Sequence, residues 1–172
     1  DYDTEEVVVV NIFVLDVDPV QAARWQLDKH IVKMPLETAQ MLSTNLHLHG
    51  FDAPYRPTHK DHPCTVRARR SRANFEWLVA HGLALCAEYT GRYGRIHKSQ
   101  AVIVWADEHK MCIPAGLQTP FAQALPEEHK GPCAVAAYRS YYHAAKAHIA
   151  TWKRNKPQWW SYKDDSPVCE RL

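Results

Sequence analysis

The chain combines one short, continuously apolar segment with several segments whose apolar residues recur at helical spacing. Residues 7–15 read VVVVNIFVL and are followed by Asp18 and Pro19, which is typical of a buried strand followed by a helix that Asp18 caps. Helical spacing predicts helices over residues 19–48, 74–93, 99–109 and 134–152. Pro35 interrupts the first of these helices, so we expect a kink or a restart there.

This pattern predicts a mainly α protein: a compact single-domain helical fold with one or two short N-terminal strands. A chain of 172 residues has the length of one ordinary domain. We expect an acidic, flexible leader over residues 1–10, a globular domain over 11–160 and an irregular tail over 161–172. No run of 18 apolar residues occurs and the leader has the wrong charge for a signal peptide, so we expect no membrane partner and a cytoplasmic location.

Glycine and cysteine usage excludes several classes of function. The six glycines are not spaced as in dinucleotide-binding or P-loop motifs, so we expect no nucleotide cofactor and predict none of another kind. The five cysteines are odd in number and include no C-x-x-C pair, which favours reduced thiols over a disulfide framework or a zinc ribbon. These cysteines are Cys64, Cys86, Cys112, Cys133 and Cys169.

The formal net charge of +2 hides an uneven distribution. Residues 1–18 contain six acidic residues and no Lys or Arg, whereas the rest of the chain carries 21 basic and 13 acidic residues. Two basic blocks, within 53–75 and 139–163, are typical of a protein that binds a polyanion. The alternative is that both blocks are solvated helix faces.

The densest group of polar residues lies in the first predicted helix. His30, Lys33, Glu37 and Gln40 fall on one face at 100° per residue. A carboxylate, an amine, an imidazole and an amide on one stripe can supply a base, a nucleophile and two orienting groups. The alternative is a solvated face with an ordinary Lys33–Glu37 ion pair.

A second group surrounds His62 and the arginines that follow it. The planar guanidinium suits phosphate, so we predict nucleic-acid contacts from Arg67, Arg69, Arg70 and Arg72. His59 and His62 could chelate a metal ion with a third ligand such as His30, Glu37 or Asp61. No recognised zinc-enzyme motif accompanies them, and we predict no metal site.

A third group lies near the C-terminal end. Lys153 and Arg154 alternate with Trp152, Trp159 and Trp160, as in surfaces that stack on bases and hold phosphates. The alternative is that the tryptophans pack onto the body of the domain.

Six short elements occur in order along residues 11–98: a strand with Asp16-x-Asp18-Pro19, Leu27-Asp28-Lys29-His30, Lys33-x-x-x-Glu37-x-x-Gln40, His62-Pro63, Trp77, and Leu83-Ala-Leu-Cys86-x-Glu88-Tyr89-x-x-Arg92. This order resembles the pyrimidine-dimer DNA glycosylases (endonuclease V-like), in particular short phage and bacterial members. The resemblance implies a helical fold that kinks duplex DNA and extrudes a nucleotide. It also implies a glycosylase whose amine attacks C1′, forms a Schiff base and nicks by β-elimination, with Glu37 as the catalytic carboxylate.

The family's nucleophile is the α-amino group of an N-terminal residue, whereas this chain begins with an acidic leader. Three explanations stay open: the true start lies near Asn11, the amine comes from Lys29 or Lys33, or the glycosylase activity is absent. A buried Lys33 beside Glu37 and His30 would have the lowered pKa that a Schiff-base lysine needs.

The leading hypothesis is a base-excision enzyme, an N-glycosylase with AP-lyase activity, that acts on damaged or modified bases in double-stranded DNA. Glu37 and Lys33 are its expected catalytic residues, with His30 and Gln40 orienting. His62 and Asp28 are further candidates for the site. The competing hypotheses are a non-catalytic nucleic-acid-binding accessory protein and a metal-dependent enzyme that acts on nucleotides.

Overall fold

The structure is a computed structural model that describes residues 12–161 and residue 169. Within this part of the chain it is mainly helical, as predicted. Seven α-helices follow one another: α1 (Pro19–Arg24), α2 (Asp28–Leu48), α3 (Pro63–Arg70), α4 (Arg72–Tyr93), α5 (Gln100–Glu108), α6 (Ala134–Ala145) and α7 (Gln158–Ser161). Short 3-10 turns lie at Lys110–Cys112, Glu127–His129 and Ala147–Ile149. The predicted leader and nearly all of the predicted tail lie outside the described residues.

The predicted N-terminal strand is not present in the described part of the segment. Its first half lies outside the described residues, and residues 12–15 are buried but form no strand. The apolar residues correctly predicted that this segment is buried. Among residues 12–161, however, no strand is present with which it could pair. Its backbone is held partly by a side chain instead, because Nε of Arg139 donates to the carbonyl oxygen of Leu15 at 2.9 Å.

The start of α1 follows from its sequence, and of the two outcomes predicted at Pro35, a kink or a restart, the restart does not occur. Asp18 Oδ1 accepts from the backbone N–H of Val20 at 3.1 Å, which caps α1 as predicted. The predicted helix over 19–48 is interrupted between α1 and α2. There the buried side chain of Gln26 places its Nε2 3.2 Å from Nε2 of His81. Pro35 lies inside α2, because a missing N–H removes only one hydrogen bond from a long helix that is packed on its neighbours.

The long helix α4 is the centre of the packing. Ser71 Oγ accepts from the N–H of Asn74 at 3.1 Å to begin it, and Gly94, with a positive φ of 72°, ends it. It packs against α1, α2, α3 and α5. In residues 12–161, no helix has the length and apolar composition that a membrane span needs.

The C-terminal part folds back onto α1 and α2 instead of continuing as one helix. α6 ends at Ala145, several residues before the predicted end at 152. The chain then turns, and the carbonyl oxygen of Thr151 accepts from the N–H of Asp28 at 2.8 Å. Trp152 Nε1 donates to the carbonyl oxygen of Trp25 at 2.9 Å, so this tryptophan is used for packing.

One disulfide bond corrects the prediction of reduced thiols. Cys133, at the start of α6, is bonded to Cys169, whereas Cys64, Cys86 and Cys112 are free. The prediction was wrong for this pair because the two residues are 36 positions apart and only the folded chain brings them together.

Candidate active site

The predicted polar face of α2 exists because the helix is continuous through Pro35. His30 is buried, Gln40 is half-buried, and the side chain of Lys33 is 57% exposed. The side chain of Glu37 is only 16% exposed. The face therefore runs from the interior at His30 to solvent at Lys33, with Glu37 at the boundary.

His30 is held by two aromatic side chains from distant segments. Its ring stacks on Phe13 with a centroid distance of 4.2 Å, and its Nδ1 lies 2.7 Å from Oη of Tyr142 in α6. The backbone N–H of Leu27 donates to that same hydroxyl oxygen at 3.3 Å. Among the described contacts the hydroxyl proton has only Nδ1 as an acceptor, so Nε2 of His30 carries the ring hydrogen.

The imidazole of His30 stays neutral over the physiological range. Burial, together with the smaller effects of the nearby cations Lys146 and Lys33, lowers its pKa to about 3. A neutral imidazole that accepts from Tyr142 can orient another group through its Nε2–H.

Glu37 is the titratable group of this face. Burial raises the pKa of its carboxyl to about 7, although the cations Lys33 and Lys146 act in the opposite direction. Its Oε1 lies 4.0 Å from Nζ of Lys33, one helical turn away. A carboxyl with this pKa can both donate and accept a proton near neutral pH.

Lys146 is a site residue that the sequence did not single out. It is the C-cap residue of α6, and its Nζ lies 5.8 Å from the centroid of the Tyr141 ring. Burial lowers its pKa, the charge of Lys33 lowers it further and the charge of Glu37 raises it. The sequence offered no signal for this, because Lys146 is far from Glu37 along the chain.

Lys33 differs from the expectation on which its role as nucleophile rested. That role needs a buried amine, and the side chain is mostly exposed. Lys146, the other lysine whose charge affects the pKa of Glu37, is half-buried.

Asp28 lies at the start of α2 and is a buried ion-pair partner. Its Oδ1 accepts from Nη1 of Arg92 at 2.9 Å and from the N–H of Lys153 at 3.0 Å, and its Oδ2 accepts from Oγ1 of Thr151 at 3.0 Å. These contacts join α2, α4 and the segment that follows α6.

His62 is the N-cap of α3. Its Nδ1 accepts from the backbone N–H of Cys64 at 3.1 Å. Within residues 12–161 and at residue 169, no group of three His, Cys, Asp or Glu side chains could hold a metal ion. The metal-dependent hypothesis, with His30, Glu37, His59 and His62, therefore finds no metal-binding group in this part of the chain.

The arginines of α3 and the start of α4 mostly bind the protein's own backbone. Arg67 donates through Nη2 to the carbonyl oxygen of Thr119 at 2.8 Å and through Nε to that of Pro120 at 3.1 Å. Arg69 donates to the carbonyl oxygen of Lys60 at 2.6 Å. Nη2 of Arg72 donates to the carbonyl oxygens of residues 111 and 113, both at 3.1 Å. Arg70 is exposed.

The two basic candidates near the C-terminal end have different environments. Lys153 is exposed, and its Nζ lies 5.4 Å from the centroid of the Tyr93 ring. Arg154 donates from Nε to Oε1 of Glu88 at 2.9 Å and from Nη2 to Oε2 at 3.1 Å.

No protein-family model, curated protein or solved structure matches this chain.

Proposed function

We propose that the protein is a DNA-acting base-excision enzyme in which Glu37 transfers protons and a lysine amine attacks the sugar. The observation that carries the proposal is a largely buried carboxyl, that of Glu37 on α2, whose Oε1 lies 4.0 Å from Nζ of Lys33 and whose pKa is also affected by the charge of Lys146. The resemblance in the sequence supports the same assignment of Glu37.

The chemistry needs an amine in its neutral form and a group that exchanges protons. An amine attacks C1′ as the bond from C1′ to the base breaks, and the base leaves with the electron pair of that bond. Burial lowers the pKa of Lys146, which increases the fraction of neutral amine. We therefore name Lys146 beside Lys33 as a candidate nucleophile.

Glu37 has a pKa suited to the proton transfers of this reaction. A carboxyl that titrates near 7 can donate to the departing base and then, as a carboxylate, take a proton from the attacking amine. His30 is fixed by Phe13 and Tyr142, so we assign it an orienting role rather than proton transfer. Gln40, one turn beyond Glu37, is the second orienting group.

The test is trapping with borohydride on duplex oligonucleotides that carry an abasic site, a uracil or a pyrimidine dimer. Borohydride reduces a Schiff base to a stable covalent adduct. We expect an adduct with the wild-type protein, its loss in either Lys33→Ala or Lys146→Ala, and slower base release in Glu37→Gln. Lys130→Ala is the matched control, since Lys130 pairs with Glu127 away from α2.

An adduct that survives in both lysine variants would contradict the assigned nucleophile. If no adduct and no abasic product form on any substrate while the wild-type protein binds DNA, the enzyme proposal is wrong. The non-catalytic alternative, a nucleic-acid-binding protein, predicts this second result and binding that is unchanged in Glu37→Gln.

A further inference from the structure

Three segments from distant parts of the chain lie side by side around the start of α2. The loop between α4 and α5 reaches α2, where Nε2 of His97 lies 2.9 Å from the carbonyl oxygen of Val32. The segment after α6 reaches the same end of α2 through the contacts of Thr151 and Lys153 with Asp28. Residues 29–36, 94–98 and 152–156 therefore form one surface, which we call the α2 surface.

The α2 surface is strongly basic. The three segments contain no Asp or Glu, and their cations are Lys29, Lys33, Arg95, Lys98, Lys153, Arg154 and Lys156. All seven of these residues are exposed. Such an arrangement attracts a polyanion.

The two acidic residues beneath this surface, Asp28 and Glu88, are each paired with arginine. Glu88 accepts from Nε of Arg92 and from Nε of Arg154, both at 2.9 Å, and from Nδ2 of Asn155 at 2.9 Å. These contacts hold the pKa of Glu88 below its ordinary value, against the effect of burial. Asp28 is paired with Arg92 in the same network. The carboxylates therefore do not oppose a polyanion, and they fix the segment that carries Lys153.

Apolar side chains stand among these cations. Ile96 is 71% exposed, and Val32 and Leu36 on α2 are 44% and 40% exposed. Val32 and Leu36 are one turn apart, and Leu36 directly precedes Glu37. Apolar side chains among cations are typical of proteins that separate stacked bases and kink a duplex.

We propose that the α2 surface is the duplex-DNA contact of this protein, with its lysines and Arg95 on the phosphates and Ile96 inserted between base pairs. This inference rests on the proposed function and moves the contact from the arginines of α3 to the surface beside Glu37. The inserted side chain would unstack a nucleotide next to the candidate active site.

The test compares two double charge reversals of equal size. Lys98→Glu with Lys153→Glu changes the α2 surface, and Lys60→Glu with Arg70→Glu changes exposed cations near α3. All four residues are exposed, so both variants should keep the wild-type unfolding midpoint. Binding to an undamaged duplex is measured by fluorescence anisotropy over a range of salt concentrations.

We expect the α2-surface variant to bind the duplex about 10-fold or more weakly than the wild type. The slope of log affinity against log salt concentration should also become shallower by about 2, because two phosphate contacts are lost. The α3 variant should match the wild type. Equal losses in both variants, or a loss only in the α3 variant, would overturn the proposed surface and leave the proposed function standing. If the wild-type protein binds no duplex even at low salt, both proposals are wrong.

The role of Ile96 has its own readout. A 2-aminopurine base in the duplex becomes more fluorescent when it is unstacked, so we expect wild-type binding to raise its fluorescence. Ile96→Ala should keep the salt slope and lose this increase, whereas Leu117→Ala, at a residue that is 88% exposed outside the α2 surface, should keep both. An unchanged increase in Ile96→Ala would overturn the insertion.

Discussion

The arginines of α3 and the cations of the α2 surface form two basic regions that differ in what their side chains contact. Arg67 is buried and donates to backbone carbonyl oxygens of residues 119 and 120, whereas Lys153 is exposed on the other region. The charge count along the sequence is high in both regions. Only the partners of each side chain distinguish a cation that holds a loop from a cation that faces solvent.

The difference follows partly from the chemistry of the two side chains. The planar guanidinium has five N–H donors and can hold several carbonyl oxygens at once, as Arg67 and Arg72 do. The ammonium of lysine is strongly hydrated and stays in water unless a specific partner lies nearby. In this protein the arginines of α3 and the start of α4 therefore mostly hold neighbouring loops, whereas the lysines of the α2 surface are exposed.

The largest effect should come from removing an inward arginine. We expect Arg67→Ala to lower the free energy of unfolding by about 3 kcal/mol, because the partly buried carbonyl oxygens of Thr119 and Pro120 lose their donor and the packing of the buried Arg67 side chain is lost. The guanidinium also lies 4.3 Å from the centroid of the Phe121 ring. Arg70 is exposed and lies three residues after Arg67 in the same helix, so Arg70→Ala should change this free energy by less than about 0.5 kcal/mol. Urea unfolding measures both, and equal effects would contradict the inward role of Arg67.

A medium effect should come from Glu37, where the charges of Lys33 and Lys146 oppose the effect of burial on its pKa. Its pKa is raised from 4.5 to about 7, so the folded protein holds this proton more tightly than the unfolded chain. The stabilisation is complete below pH 4.5 and is lost as the pH rises through 7. Relative to the wild type, Glu37→Gln should therefore become more stable by on the order of 2 kcal/mol between pH 4.5 and pH 8.

Urea unfolding of both proteins across this pH range tests the prediction. Subtracting one stability curve from the other cancels the contributions of other groups, such as His30. The pKa of His30 is lowered from 6.5 to about 3, so the unfolded chain binds this proton first and the folded state loses stability as the pH falls below 6.5. If the difference instead decreased with pH, the cations would outweigh burial at Glu37.

The smallest effect on stability should come from Gly91. A Cβ at this position would collide with the guanidinium of Arg154, which must then leave Glu88. Replacing a helical glycine by alanine gains about 1 kcal/mol and offsets this loss, so the free energy of unfolding should change by less than about 0.5 kcal/mol. The released Arg154 becomes available to phosphate, so the salt slope of duplex binding should steepen by about 1. In an Arg154→Ala background, Gly91→Ala should no longer steepen the slope.

The helix ends that depend on neighbouring residues could be predicted from the sequence. Asp18 before Pro19 is a local signal, and the structure confirms it; the helix predicted over 74–93 also ends at residue 93, where Gly94 is the C-cap. The break between α1 and α2 and the early end of α6 have no local signal. Near these two points Gln26 contacts His81 and Thr151 contacts Asp28, and each pair of partners is far apart along the chain.

The candidate site divides in the same way. Helical spacing was sufficient to group His30 with Glu37, since both lie on α2. Tyr142 and Lys146 come from α6, and periodicity within one helix carries no information about which other helix packs against it. The sequence therefore predicted the part of the site that α2 supplies and not the part that Tyr142 and Lys146 supply.

The contact of Asp28 with Thr151 has a consequence for folding. These residues are 123 positions apart, so their hydrogen bonds close one of the longest loops in the chain. During synthesis, α2 and α4 emerge well before the segment that contains Lys153 and Arg154. Until that segment arrives, Asp28 and Glu88 lack the partners it supplies. The α2 surface thus gains much of its positive charge only when the last of its three segments has been made.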